Sequence, residues 1–216
     1  MNWLTRKITR ELSDRAVRPF ASEARTLEVG AYGKPSYGRF FPDRIGIDIR
    51  EGPGVDRIAS VYSLPFADGE FQNVLCMSVL EHLEDPPRAI AEMRRILQPG
   101  GHCIISVPFL FPIHDTPGDY WRFTKFGLRH LFRDGWHIES LRAESDTQDA
   151  VAILAQRLAY QGRYRADKLV KGFLLLLARI LHVLPRFPRT MYGDIHKKIE
   201  EPDAFATAFF LVARKV

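Results

Sequence analysis

Two carboxylates stand where a nucleoside could be held. Glu28 lies in the run Glu28-Val29-Gly30-Ala31-Tyr32-Gly33, and Asp48 closes a second apolar run twenty residues further on. Glycine at a strand end permits positive φ and lets a ligand approach the backbone closely. A carboxylate ending the next strand can accept hydrogen bonds from both hydroxyls of a ribose. The glycines do not complete a dinucleotide fingerprint, because Tyr32 occupies the second glycine position and no glycine stands at the third. That disfavours a pyrophosphate cradle and a nicotinamide-dependent oxidoreductase. Taken alone, the glycines could also serve only to make a turn. A second concentration of chemistry lies in residues 108–124, which carry His114, Asp119, Tyr120, Trp121 and Arg122. An imidazole can take the proton of an oxygen nucleophile, and a carboxylate can orient it or hold a hydroxyl. A guanidinium suits a carboxylate or phosphate, and the aromatic pair suits a ring face. Equally, Asp119 and Arg122 can pin the loop, and Thr124 can cap the helix that follows.

The elements that must position these groups alternate in type. Apolar runs at 26–30, 44–49, 56–60, 73–78 and 102–107 read as strands, the third weakly, and 136–141 and 207–213 as two more. Between the fourth and fifth lies a helix that Asp85 can cap, with Pro86 and Pro87 in its first turn. Ile90, Met93 and Leu97 share its apolar face, and Pro99-Gly100-Gly101 stops it. Another helix starts at Thr124 and turns Leu128, Leu131 and Phe132 inward. Strands alternating with helices predict a parallel sheet, whose ligands lie beyond the carboxyl ends of the strands.

Composition narrows the class. At 216 residues and 46% hydrophobic, the chain has enough apolar surface for one core. Cys76 and Cys103 both fall within strand-like runs and read as buried thiols in a reducing cytoplasm; no metal ligands are assigned. The first twenty residues read as an amphipathic helix on Leu4, Ile8, Leu12 and Ala16, ending before Pro19. Five arginines and lysines and the lack of a continuous apolar stretch distinguish it from a signal peptide. The net charge of +5 belongs wholly to residues 146–200, with ten Lys/Arg against five Asp/Glu; the rest holds twenty-one of each. The apolar run there is far shorter than the roughly 20 residues that cross a bilayer. Lys168, Lys171, Arg179, His182 and Arg186 fall on one stripe of a helix, leaving a wide apolar remainder. This segment reads as an insertion packed on the core, with contact to a membrane surface through 168–187 or cover over a pocket as alternatives. Nucleic acid is not an expected partner, since basic residues alternate with leucines and no nucleic-acid motif occurs.

Five runs in order carry a resemblance: Leu27-Glu28-Val29-Gly30, Gly46-Ile47-Asp48, the stretch 63–71, Val79-Leu80-Glu81-His82-Leu83, and residues 94–101. Together they resemble the class I S-adenosylmethionine (SAM)-dependent methyltransferases, most closely the ubiquinone-biosynthesis-like (type 11) subgroup, over residues 25–145. The resemblance implies SAM as cofactor, with Glu28 and Gly30 at its methionine end and Asp48 on the ribose. It places Ile49 on the adenine, Ser60 and Val61 at the adenine edge, and Ser78 beside the sulfonium. Two positions depart from the family pattern. Tyr32 replaces a common glycine in the cofactor loop, whose continuation Lys34-Pro35-Ser36-Tyr37 is similar to that of some relatives, and Ser60 stands where an aspartate is frequent. The 108–124 run resembles a signature of one branch, which implies an acceptor site with His114 as general base and Asp119 orienting it. Tyr120, Trp121 and Arg122 would bind the acceptor, while His82 would line the pocket or make a structural hydrogen bond.

The expected fold is therefore α/β, a Rossmann-like, doubly wound, mostly parallel seven-stranded sheet with an antiparallel last strand and a helical insertion near the C-terminus. One domain is expected over 1–216: an N-terminal helix (1–22), the core (25–145), the basic apolar insertion (146–204) and the last strand (205–216). The expected activity is methyl transfer to a small molecule, at an oxygen of a glycan, lipid-linked or related metabolite. It would take place in the cytoplasm or at the inner face of the membrane. The competing reading is a non-catalytic SAM-fold binding protein associated with a membrane.

Overall fold

A computed structural model describes residues 3–33, 37–162, 167–184 and 203–216. The strands are β1 (Thr26–Val29), β2 (Arg44–Asp48), β3 (Arg57–Ile58), β4 (Phe71–Met77), β5 (Leu97–Pro108), β6 (Trp136–Ala143) and β7 (Ala208–Lys215). They form one sheet in the order β3-β2-β1-β4-β5-β7-β6. The first five run parallel, and β7 lies antiparallel between β5 and β6. This is the expected seven-stranded sheet with an antiparallel last strand.

Alternate residues of the central strands feed two cores, as a sheet covered on both faces requires. On one face Val74, Cys76, Cys103 and Ile105 pack with Ile90, Met93 and Ile96 of α2 (Pro86–Ile96) and Leu128 of α3 (Lys125–Leu131). On the other, Leu75, Met77, Ile104 and Phe210 pack with Ala16 and Val17 of α1 (Ile8–Val17). Cys76 and Cys103 are buried free thiols, and burial pushes the Cys103 thiol well above its ordinary pKa. Both expected caps form: the Asp85 side chain accepts from the Arg88 amide at 3.2 Å, and the Thr124 hydroxyl from the Gly127 amide at 3.1 Å. The N-terminal helix is shorter than expected, with Leu4 in a separate 3-10 turn, Trp3–Thr5. Strand β5 begins at Leu97, because Leu97 already pairs with Phe71 before the Pro99-Gly100-Gly101 stop.

The insertion forms two helices, α4 (Thr147–Gln161) and α5 (Asp167–Val183), packed on α1 through Ile8, Leu12, Ala152, Ile153 and Ala178. Its orientation corrects the sequence reading. Arg179, although in the basic stripe, is buried and pairs with Glu11 at 2.9 Å. His182 turns inward to Asp149 at 2.6 Å. Leu169, Phe173, Leu176, Ile180 and Val183 of the apolar remainder face outward instead, Leu169 being 81% exposed. Arg186, the rest of segment 185–187 and Lys34–Ser36 of the cofactor loop lie outside the described residues. No helix among the described residues is long and apolar enough to cross a membrane.

Candidate active site

The strand order reverses between β1 and β4, and such switch points open a crevice at the carboxyl ends of the strands. A cleft of about 810 Å³ lies there, within the roughly 300–1,000 Å³ typical of ligand pockets. Val29, Gly30, Tyr32, Asp48, Ile49, Val61 and Ser78 line it from the strand ends, His82 and Leu83 from the turn after β4, and Asp115, Thr116 and Gly118 from the loop after β5.

Each strand-end group is held in place locally. The Asp48 carboxylate accepts from the Tyr32 amide at 3.3 Å and the Arg50 amide at 3.0 Å, which fixes it at the end of β2. Gly30 has φ +73°, and a Cβ there would sit 2.3 Å from Val79 Cγ2, so the floor fits only a bare backbone. Ser78 has φ 52°, a strained value for a non-glycine residue. Ile49 is 73% exposed at the cleft rim, an apolar surface available to a planar ring. The Tyr32 ring lies beneath the Arg50 guanidinium at 4.2 Å. The cleft thus presents a fixed carboxylate acceptor, a bare backbone floor and an apolar rim, a surface that fits a nucleoside.

Two expected contacts are arranged differently. Glu28 is buried and does not line the cleft; its Oε2 pairs with Arg44 at 3.2 Å. Ser60 is outside the lining set, where Ala59 and Val61 stand, and its hydroxyl accepts from the Tyr62 amide at 3.3 Å. Sequence reasoning missed Arg44, which links Glu28 to Asp56 (3.3 Å) and the Gly54 carbonyl (3.2 Å). Gly46 pairs with Glu28 in register, and a Cβ there would stand 2.3 Å from the backbone carbonyl oxygen of Gly54 as well as against the Arg44 guanidinium, so only glycine leaves room.

The 108–124 loop docks on the 3-10 turn Leu80–His82. The Tyr120 and Trp121 amides donate to the Glu81 carbonyl at 2.9 and 3.1 Å, and Trp121 Nε1 donates to the Leu83 carbonyl at 2.7 Å. Tyr120 OH donates to Glu84 at 3.2 Å. Both rings are exposed and neither lines the cleft. Arg122 has a structural task rather than the expected anion site. Its five N–H groups donate to Asp119 twice, at 2.7 Å each, and to the carbonyls of Phe111, Pro112 and Trp121. Asp119 also accepts from the His114 amide at 2.9 Å, and the Arg122 hydrogen bonds hold its carboxyl well below the usual carboxylate range. Of the two histidines, His82 faces the cleft, donating Nδ1–H to the Gly118 carbonyl at 2.7 Å, while His114 stands behind it with ring centroids 5.0 Å apart. Burial lowers the His114 pKa despite the opposing charge of Asp119.

The fold and this cleft define a nucleoside-binding α/β domain. Residues 47–105 match a family described as a methyltransferase domain. An uncharacterised methyltransferase of Schizosaccharomyces pombe is 46% identical over 64 residues, 30% of this chain and 23% of that one. Among solved structures, a [4+2]-cyclase, SpnF, is similar with a TM-score of 0.59 at 21% identity, covering 95% of this chain and 80% of that one. The 1,6-didemethyltoxoflavin-N1-methyltransferase of Burkholderia thailandensis, solved with S-adenosylhomocysteine, gives a TM-score of 0.57 at 16% identity, covering 97% and 78%. The family match over residues 47–105 and the methyltransferases among these relatives and structures support a class I SAM-dependent methyltransferase of type 11 kind, with SAM as cofactor. It spans less than half the length of the first curated relatives it matches.

Proposed function

We propose that the chain transfers a methyl group from SAM to an oxygen of a small-molecule acceptor, a glycan, lipid-linked precursor or related metabolite. One observation carries this reading: a single cleft is lined by Asp48, Gly30 and Ser78 at the strand ends and by His82, Asp115 and Thr116 from the turn after β4 and the loop after β5. SAM bound there supplies an electrophilic methyl on its sulfonium. Asp48 holds the ribose hydroxyls, Gly30 and Ser78 face the methionine end, and Ile49 and Val61 pack on the adenine. Glu28 acts through Arg44 to brace β1 against β2. On the acceptor side, His114 serves as the base that takes the proton of an acceptor hydroxyl, Asp119 orients it, and His82 lines the cleft beside it. Holding the nucleophile in line in a desolvated site supplies much of the rate.

Calorimetry with SAM and with NAD tests the reading: SAM is expected to bind and NAD not. Asp48→Ala should weaken SAM by about 10–100-fold, the worth of hydrogen bonds to a charged group at roughly 1.5–3 kcal/mol. No SAM binding at millimolar concentration would sink the methyl-transfer reading.

The outward apolar face of α5 favours a second element, contact with a membrane surface that would deliver a lipid-linked acceptor. The full chain should float with vesicles of phosphatidylcholine and phosphatidylglycerol. A Leu169→Glu, Phe173→Glu double variant should stay in the pellet, since both side chains are exposed and leave the core untouched. Equal recovery of the two proteins would count against membrane contact.

A further inference from the structure

We propose that Glu81, His82 and His114 form a divalent-cation site in the inner wall of the cleft. Their ligand atoms all lie within 4.8 Å of one another. The tautomers follow from the backbone. His82 Nδ1 lies 2.7 Å from the Gly118 carbonyl and His114 Nδ1 3.2 Å from the Pro112 carbonyl. A carbonyl oxygen only accepts, so each Nδ1 carries a hydrogen, which leaves Nε2 as the ring atom able to ligate an ion. Both Nε2 atoms face the same oxygen, Glu81 Oε1, at 3.7 and 3.8 Å.

Those separations are too long for a hydrogen bond between ring and carboxylate. Glu81 is fully buried, where water screens charge little, so a cation held among the three groups would be drawn strongly to its carboxylate. With ligand bonds of about 2.0–2.1 Å, a tetrahedral ion sets its ligands roughly 3.4 Å apart, so the two carboxylate–imidazole separations need contract by only a few tenths of an ångström, and the whole set, within 4.8 Å, by about 1.4 Å at most.

The surroundings match what a metal-binding imidazole needs. A ligating histidine characteristically donates its other N–H to a carbonyl or carboxylate, which fixes the ring, and both rings here do so. His114 is fixed twice over, since its amide donates to the Asp119 that Arg122 clamps. Two imidazoles and one carboxylate suit zinc or another first-row transition ion better than calcium or magnesium. Three protein ligands leave a coordination position open, and it opens to the cleft because His82 lines it. With both Nε2 lone pairs on the ion, the ion rather than an imidazole would bind an acceptor oxygen there and ease the loss of its proton. That last role rests on the proposed methyl transfer; the ion site itself does not.

The test uses the full chain, stripped with a chelator and titrated with Zn²⁺, and with Co²⁺ as a spectroscopic probe. One ion per chain is expected to bind at micromolar concentration or below, and Co²⁺ should give visible absorption of nitrogen and oxygen coordination. His82→Gln and Glu81→Gln should each weaken Zn²⁺ by more than about a hundredfold, because loss of an outer partner alone typically costs about 10–100-fold. No stoichiometric Zn²⁺ binding, or equal affinity in wild type and both variants, would overturn the proposal. So would a wild-type Co²⁺ spectrum identical to the free ion, a readout that needs no variant to fold. A parallel SAM titration separates the two readings: SAM binding without Zn²⁺ removes only the ion site, and Zn²⁺ binding without SAM removes only the methyl-transfer reading.

Discussion

Arg122→Ala is expected to cost about 3–5 kcal/mol of stability, because it strands a buried carboxylate without its partner. The Asp119 side chain is 1% exposed, and its two oxygens take both arms of the Arg122 fork. The same guanidinium also satisfies the carbonyls of Phe111, Pro112 and Trp121, so three backbone acceptors lose their donor together. For a chain of this length, each kcal/mol lowers the melting temperature by roughly 2–4 °C, which predicts a fall of about 6–20 °C. Arg122→Lys should recover little, since an ammonium keeps the charge but not the planar fork. The measurement is a thermal melt of the three proteins without ligand. A melting point unchanged in Arg122→Ala would return Arg122 to the acceptor site, because a side chain reserved for substrate contributes little to the free fold.

That role shows which parts of the molecule were legible in the sequence. The sheet was legible because each strand is an apolar run bounded by glycine or a charge, and because such runs alternate with capped helices. Asp85 and Thr124 cap helices as their spacing suggested, both interactions being local. The strand-end lining of the cleft was legible for the same reason: Gly30, Asp48 and Ser78 are the last residues of their strands or the next ones on, and parallel pairing brings strand ends together. Less legible were groups whose partners come from elsewhere. Arg179 and His182 turn inward because Glu11 of α1 and Asp149 of α4 meet them, and nothing in the 168–187 periodicity records those partners. Which of His82 and His114 faces the cleft depends on where the 108–124 loop docks on the Leu80–His82 turn. Arg122 has the composition of an anion site, and only the loop's path reveals that its donors are all engaged.

Gly30→Ala should damage both the fold and the cofactor site, and the two causes can be separated. An alanine at φ +73° carries about 1–2 kcal/mol of left-handed strain. Its Cβ would also stand 2.3 Å from Val79 Cγ2, and overpacking of that kind costs about 1–3 kcal/mol more. Val79 lines the cleft, so its displacement moves the surface on which the methionine end of SAM would rest. SAM affinity is expected to fall by about ten- to a hundredfold, the equivalent of roughly 1.4–2.8 kcal/mol. Gly33→Ala is the control for strain alone: it has φ +64°, but a Cβ there meets nothing within 4 Å. It should cost stability with a smaller loss of SAM affinity. Val79→Ala in the Gly30→Ala background removes the clashing methyls while the strain remains, so SAM affinity should return toward that of Val79→Ala alone although the melting point stays depressed. Strictly additive losses in that cycle would mean the two side chains do not meet, and the bare backbone floor would no longer explain why glycine stands at position 30.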